Sequence, residues 1–178
     1  KKRNLLFKIE KLSNFGIKNI EIGWNSNPEW VHLILEIKKK FKSINIGVAS
    51  ITSRQSLDSI CSLDLNYSMS PFFNREIHIK AIKYNQLVIP GISNIENFKE
   101  AINLGYKIVK IYPASKLGIN FINDLQDFKK KDIFFIGAGG IKSQNLKKLL
   151  KSGYDALVIG RELRNQKPDK DLEIWLNN

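Results

Sequence analysis

The sequence predicts an α/β fold of the (β/α)8 TIM-barrel kind. Three observations carry that prediction. Apolar strand runs alternate with amphipathic helices along the 178 residues, and the connections are short. The strands are apolar on both faces, which together with the alternation indicates a parallel sheet covered by helices. Polar residues stand at the C-terminal ends of several strands, and the last two strands end in glycine-rich turns. A doubly wound sheet shares the alternation. Active groups spread over several strand ends favour the barrel.

The chain opens on a helix with Leu5, Ile9 and Leu12 on one face, and Gly16 stops it. "NIEIGW" (19–24) is a strand, and Trp30, Ile34, Ile37 and Phe41 mark the next helix. "INIGVASI" (44–51) is a strand, "SRQSLDSICSL" (53–63) a helix and "LNYSMSP" (65–71) a short strand. A helix through Ile77 and Ile82 precedes the strand "LVIPGIS" (87–93). Ile95, Phe98 and Ile102 then line one helical face, before the strand "KIVKIYPAS" (107–115). A helix around Ile122 and Leu125 leads to the strand "IFFIGAGGI" (133–141). A helix through Leu146, Leu149 and Leu150 leads to the strand "ALVIGREL" (156–163), and "DLEIWL" is a terminal helix. That makes seven strands in one domain, residues 1–178. A barrel needs eight, so a first strand is expected before Lys1, where the chain begins on lysine rather than methionine.

The formal net charge is +12, which raises nucleic-acid binding as a possibility. Lysine is scattered, however. The tightest runs, 38–40 and 129–131, fall near helix ends, where cations suit the dipole and the solvent. The expectation is therefore no nucleic-acid partner. The lone Cys61 excludes a disulfide framework and points to a reducing cytoplasm. No apolar run approaches the length of a bilayer span, so no membrane partner is expected.

Three features carry chemistry. Lys110 lies in the middle of an apolar strand, where alternation puts it on one face with Ile108 and Tyr112. A buried ammonium is costly, so its pKa should fall and leave a free amine at neutral pH. Such an amine attacks carbonyls to form a Schiff base, an electron sink for carbon–carbon cleavage. Glu21, between Ile20 and Ile22, poses the same puzzle with the opposite sign. It can carry protons as general base and acid, or form a structural ion pair with Lys110. The turns "GAGGI" (137–141) and "IGREL" (159–163) follow the last two strands, where barrels commonly bind phosphate. Arg161 adds a bidentate donor, or the glycines serve only tight turns. His32 and His78 read as surface or packing residues, and Cys61 as core. No residues show metal-ligand spacing, so no metal is expected.

In order along the chain, "IEIGW", "IGVAS", "YSMSP", "IPGISNIENFKEAINLG", "VKIYPASKLG" and "GAGGI" resemble the strands and turns of the class I aldolases. The family is the one that cleaves 2-keto-3-deoxy-6-phosphogluconate and 4-hydroxy-2-oxoglutarate. The resemblance implies Lys110 as Schiff-base lysine and Glu21 as proton-transfer residue. It implies Ser50, Pro71 and Tyr112 around the pyruvyl group, and Gly139, Gly140 and Gly160 at a phosphate. It further implies a small keto-acid substrate and a cytoplasmic homotrimer that needs no added cofactor.

Two departures concern the substrate contacts. The family's E-x-T-x-R pattern, whose arginine binds the keto-acid carboxylate, reads "EIGWN" here, with Asn25 at the arginine. An amide does not replace a guanidinium fork without loss. The last strand reads Ile-Gly-Arg where the family has Gly-Gly-Ser, so Arg161 either binds the anion or fills its place. The alternatives are a phosphate-binding isomerase or synthase of the same fold without an imine, and a non-catalytic descendant that binds a metabolite.

Overall fold

The computed structural model describes residues 2–129 and 132–160. They belong to two compact units. One comprises residues 2–70 with 74–88; the other comprises 71–73 with 89–129 and 132–160.

The first unit opens with helix α1 (Lys2–Asn14), whose Ile9 is buried. Gly16 follows at a φ of 83°, a left-handed turn that glycine makes without strain. Strand β1 (Asn19–Gly23), helix α2 (Trp30–Lys40), β2 (Asn45–Ala49), α3 (Arg54–Ile60), β3 (Ser68–Met69), α4 (Arg75–Lys83) and β4 (Val88–Ile89) come next. The strands form one sheet in chain order. Side-chain caps start two of the helices: Ser53 and Ser56 cap α3 reciprocally, and Asn74 accepts from the Ile77 amide to start α4. Ile20, Ile22, Ile46 and Val48 pack with Trp30, Ile34 and Ile37 in this unit's core.

In the second unit, β5 (Gly91–Ile92), α5 (Ile95–Asn103), β6 (Ile108–Ile111), α6 (Ala114–Asp124), α7 (Gln126–Lys129), β7 (Phe134–Ala138), α8 (Leu146–Lys151) and β8 (Ala156–Val158) follow in order. Their strands are parallel and again run in chain order. The core gathers Phe98, Val109, Ile111, Ile122 and Phe135, with the Phe98 ring edge-on to Phe128 at 4.8 Å.

The eight strand segments among the described residues come from the seven runs read in the sequence. The run 87–93 supplies two of them, β4 and β5, because Pro90 has no N–H for a ladder. Its carbonyl instead accepts from the Lys110 amide at 2.8 Å.

Other expectations need correction. The strand predicted over 107–115 ends at Ile111, and Ala114 already starts a helix after a cis Tyr112–Pro113 bond. Ile82 is exposed, and His78 and Ala81 fill the buried positions of α4 instead. Cys61 is exposed rather than core, since it caps the end of α3 and its thiol turns back to the Leu57 carbonyl. The terminal helix expected at "DLEIWL" lies outside the described residues. Among the described residues, no helix is long and apolar enough to cross a membrane.

Candidate active site

Lys110 sits in the third position of β6, between Gly91 of β5 and Ile136 of β7 in register. It is 5% exposed, so a four-carbon stem and an amine lie inside the protein at a sheet face. Its Nζ is 5.6 Å from the centre of the Tyr112 ring. Tyr112 itself is partly open to solvent. The neighbours of this lysine are fixed by glycines. A side chain on Gly91 would collide with the Pro71 carbonyl, so Gly91 lets the Pro71–Phe72 backbone pass beside the lysine's strand. A Cβ on Gly139 would come within 2.7 Å of the Tyr112 ring, and one on Gly140 would strike the Ser115 hydroxyl. Both glycines have positive φ, 90° and 73°. The Ser115 amide donates to the Gly139 carbonyl at 3.1 Å, tying the turn after β6 to the turn after β7. Lys110, Tyr112, Pro71, Gly139 and Gly140 therefore belong to one neighbourhood within the second unit.

Glu21 occupies the middle of β1 in the first unit, opposite Gly47 of β2. Its Oε1 is buried. The ring of Tyr67 lies over Gly47, where a side chain would collide with it. Burial, and then the Glu21 charge, push the Tyr67 hydroxyl above the usual phenol range. Ser50 follows β2 with a φ of 68°, a strained conformation for a residue with a side chain.

Asn25 is exposed at the start of a local turn, with its Oδ1 accepting from the Asn27 amide at 3.0 Å. That side-chain acceptor serves the loop. Gly160 is exposed with open space around it, and Arg161 lies outside the described residues. Sequence reasoning passed over Tyr67. The only signal was a glycine inside an otherwise apolar strand, which marks a close approach. It also left the pairing of Ser70 with His78 unread. Their side chains are buried, 3.2 Å apart, and burial lowers the imidazole's pKa to about 4 despite a hydrogen bond to the Val88 backbone.

The model of one family, KDPG and KHG aldolase, matches residues 1–173. The chain belongs to that aldolase family. It is 25% identical over 150 residues to the 2-dehydro-3-deoxy-6-phosphogalactonate aldolase of Escherichia coli K12, covering 83% of this chain and 72% of the relative. It is 22% identical over 131 residues to the 2-dehydro-3-deoxy-phosphogluconate aldolase of Treponema pallidum, covering 74% of this chain and 62% of that protein. The KDPG aldolase of Legionella pneumophila, solved with pyruvate captured as a covalent carbinolamine, superposes with a TM-score of 0.81 at 21% identity. That match covers 99% of this chain and 87% of the other. The fold is thus the (β/α)8 fold of the aldolase family, as the alternating strands and helices predicted.

Proposed function

We propose that the protein is a lysine-dependent aldolase that releases pyruvate and an aldehyde from a 2-keto acid. The candidate substrates are 2-keto-3-deoxy-6-phosphogluconate and 4-hydroxy-2-oxoglutarate. The observation that carries the reading is Lys110, a 5%-exposed amine on a strand, with Tyr112 and the Pro71 backbone beside that strand. Burial favours the neutral amine, which is the nucleophile. The amine adds to the keto carbon to give a carbinolamine, and water leaves to give the imine. Cleavage sends the bonding electrons into the imine and leaves an enamine of pyruvate, which is protonated and hydrolysed.

Glu21 is assigned the proton transfers, supported by its buried carboxylate oxygen in an otherwise apolar strand. Ser50, Pro71, Tyr112 and Asn25 are assigned to the keto-acid end. Gly139, Gly140, Gly160 and Arg161 are assigned to a phosphate, supported by the positive φ of the first two. The relatives' names, which speak of phosphorylated sugar acids, support the same assignment. The reading includes one domain, a homotrimer in the cytoplasm and no added cofactor.

The test is reduction with borohydride in the presence of pyruvate, followed by mass mapping. A pyruvyl adduct on Lys110 is expected. An adduct on another lysine, or on none, would remove the Schiff base from the reading.

A further inference from the structure

A row of three residues crosses the first sheet. Glu21 of β1 is opposite Gly47 of β2. Val48 of β2 is opposite Ser68 of β3, so one residue back along both parallel strands Gly47 faces Tyr67. Residues in one row point to the same face of a sheet. The opposite face holds Ile20, Ile22, Ile46 and Val48, all buried in the unit's core. Backbones two strands apart are about 10 Å from each other, too far for ordinary side chains to meet over a residue with its own side chain. Gly47 removes that obstacle. The Tyr67 ring lies down across it, and a Cβ there would be 2.8 Å from the phenol oxygen. The hydroxyl end of the ring, as well as its edge, thus lies over the middle strand, in the row that holds Glu21, and the Glu21 charge acts on it. A glycine inside a strand costs stability, and here the space it opens is taken by the ring and hydroxyl of Tyr67.

We propose that Tyr67 is a positioning residue for proton transfer at Glu21, its hydroxyl crossing Gly47 to orient the carboxylate as it takes and returns a proton. This rests on the aldolase reading. In the half-reaction with pyruvate, imine formation at C2 acidifies the C3 methyl group. A C3–H bond breaks, its electron pair forms the C2–C3 double bond of the enamine, and the proton passes to the Glu21 carboxylate. Tyr67 remains a phenol throughout and donates to the carboxylate when it is charged. Burial, and then the Glu21 charge, raise the pKa of this phenol, so it is protonated at neutral pH.

Exchange of the pyruvate methyl protons with deuterium oxide, followed by proton NMR, reads this step without the aldehyde. Four proteins are compared: wild type, Tyr67→Phe, Glu21→Gln and the double variant. Tyr67→Phe should slow exchange about tenfold while the extent of borohydride trapping on Lys110 stays at the wild-type level. In the Glu21→Gln background the same change should move the rate less than twofold, because the two groups act as one. Phenylalanine keeps the ring over Gly47, so a loss confined to exchange cannot come from packing. Unchanged exchange in Tyr67→Phe overturns the proposal, as does an equal loss with and without Glu21. A wild type that traps no pyruvate overturns the aldolase reading and this one with it. A wild type that traps pyruvate beside a silent Tyr67→Phe overturns this one alone.

Discussion

At the scale of single residues, buried polar groups are the informative ones. The Tyr154 hydroxyl is buried and has no hydrogen-bond partner among the described residues, and burial pushes its pKa to about 12. Its ring packs against Gly137. Leaving a donor unmade costs more than deleting it, so Tyr154→Phe should stabilise the protein by about 1 kcal/mol. A urea midpoint below that of wild type would mean the hydroxyl has a partner. His78 makes a pH prediction. Its pKa falls from 6.5 in the unfolded chain to about 4 in the fold, chiefly through burial. Between those values the unfolded chain binds a proton that the folded chain refuses. This stability is therefore complete above pH 6.5 and is lost as the pH falls through the window, at up to about 1.4 kcal/mol per unit. Urea melts of wild type and His78→Leu at several pH values check this. The slope between pH 6.5 and 4 should flatten in the variant, and an unchanged slope would place its origin elsewhere.

Among the elements, composition revealed the strands and helices but not their ends or their neighbours. The run 107–115 reads as one strand because Tyr112 suits a sheet, yet the chain turns at Tyr112–Pro113 and begins a helix at Ala114. Run 87–93 reads as one strand and gives two, because ladder bonding stops at Pro90. Lys110 and Glu21 were legible as charges inside apolar runs. The row Glu21–Gly47–Tyr67 was not, because the register between parallel strands leaves no mark in either strand alone. The close approach at Gly91 was likewise hidden, since the segment that touches it, Pro71–Phe72, lies about twenty residues earlier. Gly91→Ala should force the Pro71 backbone off β5 and cost about 1–3 kcal/mol. Unchanged thermal stability would mean that this backbone yields freely. At α4, Asn74→Ala should cost about 1 kcal/mol by removing the acceptor for the Ile77 amide, again read from the urea midpoint.

For the molecule as a whole, the family and the (β/α)8 fold follow from the ordered set of strand and turn sequences, and the family model spans residues 1–173. In the proposed function, substrate choice is assigned to the positions at which the sequence departs from the family pattern, Asn25 and Arg161 above all. The proposed reaction type depends on one amine. The central claim is that Lys110 forms the imine, and the direct measurement is pyruvate with borohydride on wild type and Lys110→Met, with peptide mass mapping. Methionine fills a similar volume without the amine, so the variant should keep its fold. The account predicts a reduced pyruvyl adduct on the peptide containing Lys110 in wild type and none in a folded Lys110→Met. Adduct formation that persists in Lys110→Met, or its absence from wild type at saturating pyruvate, would contradict it.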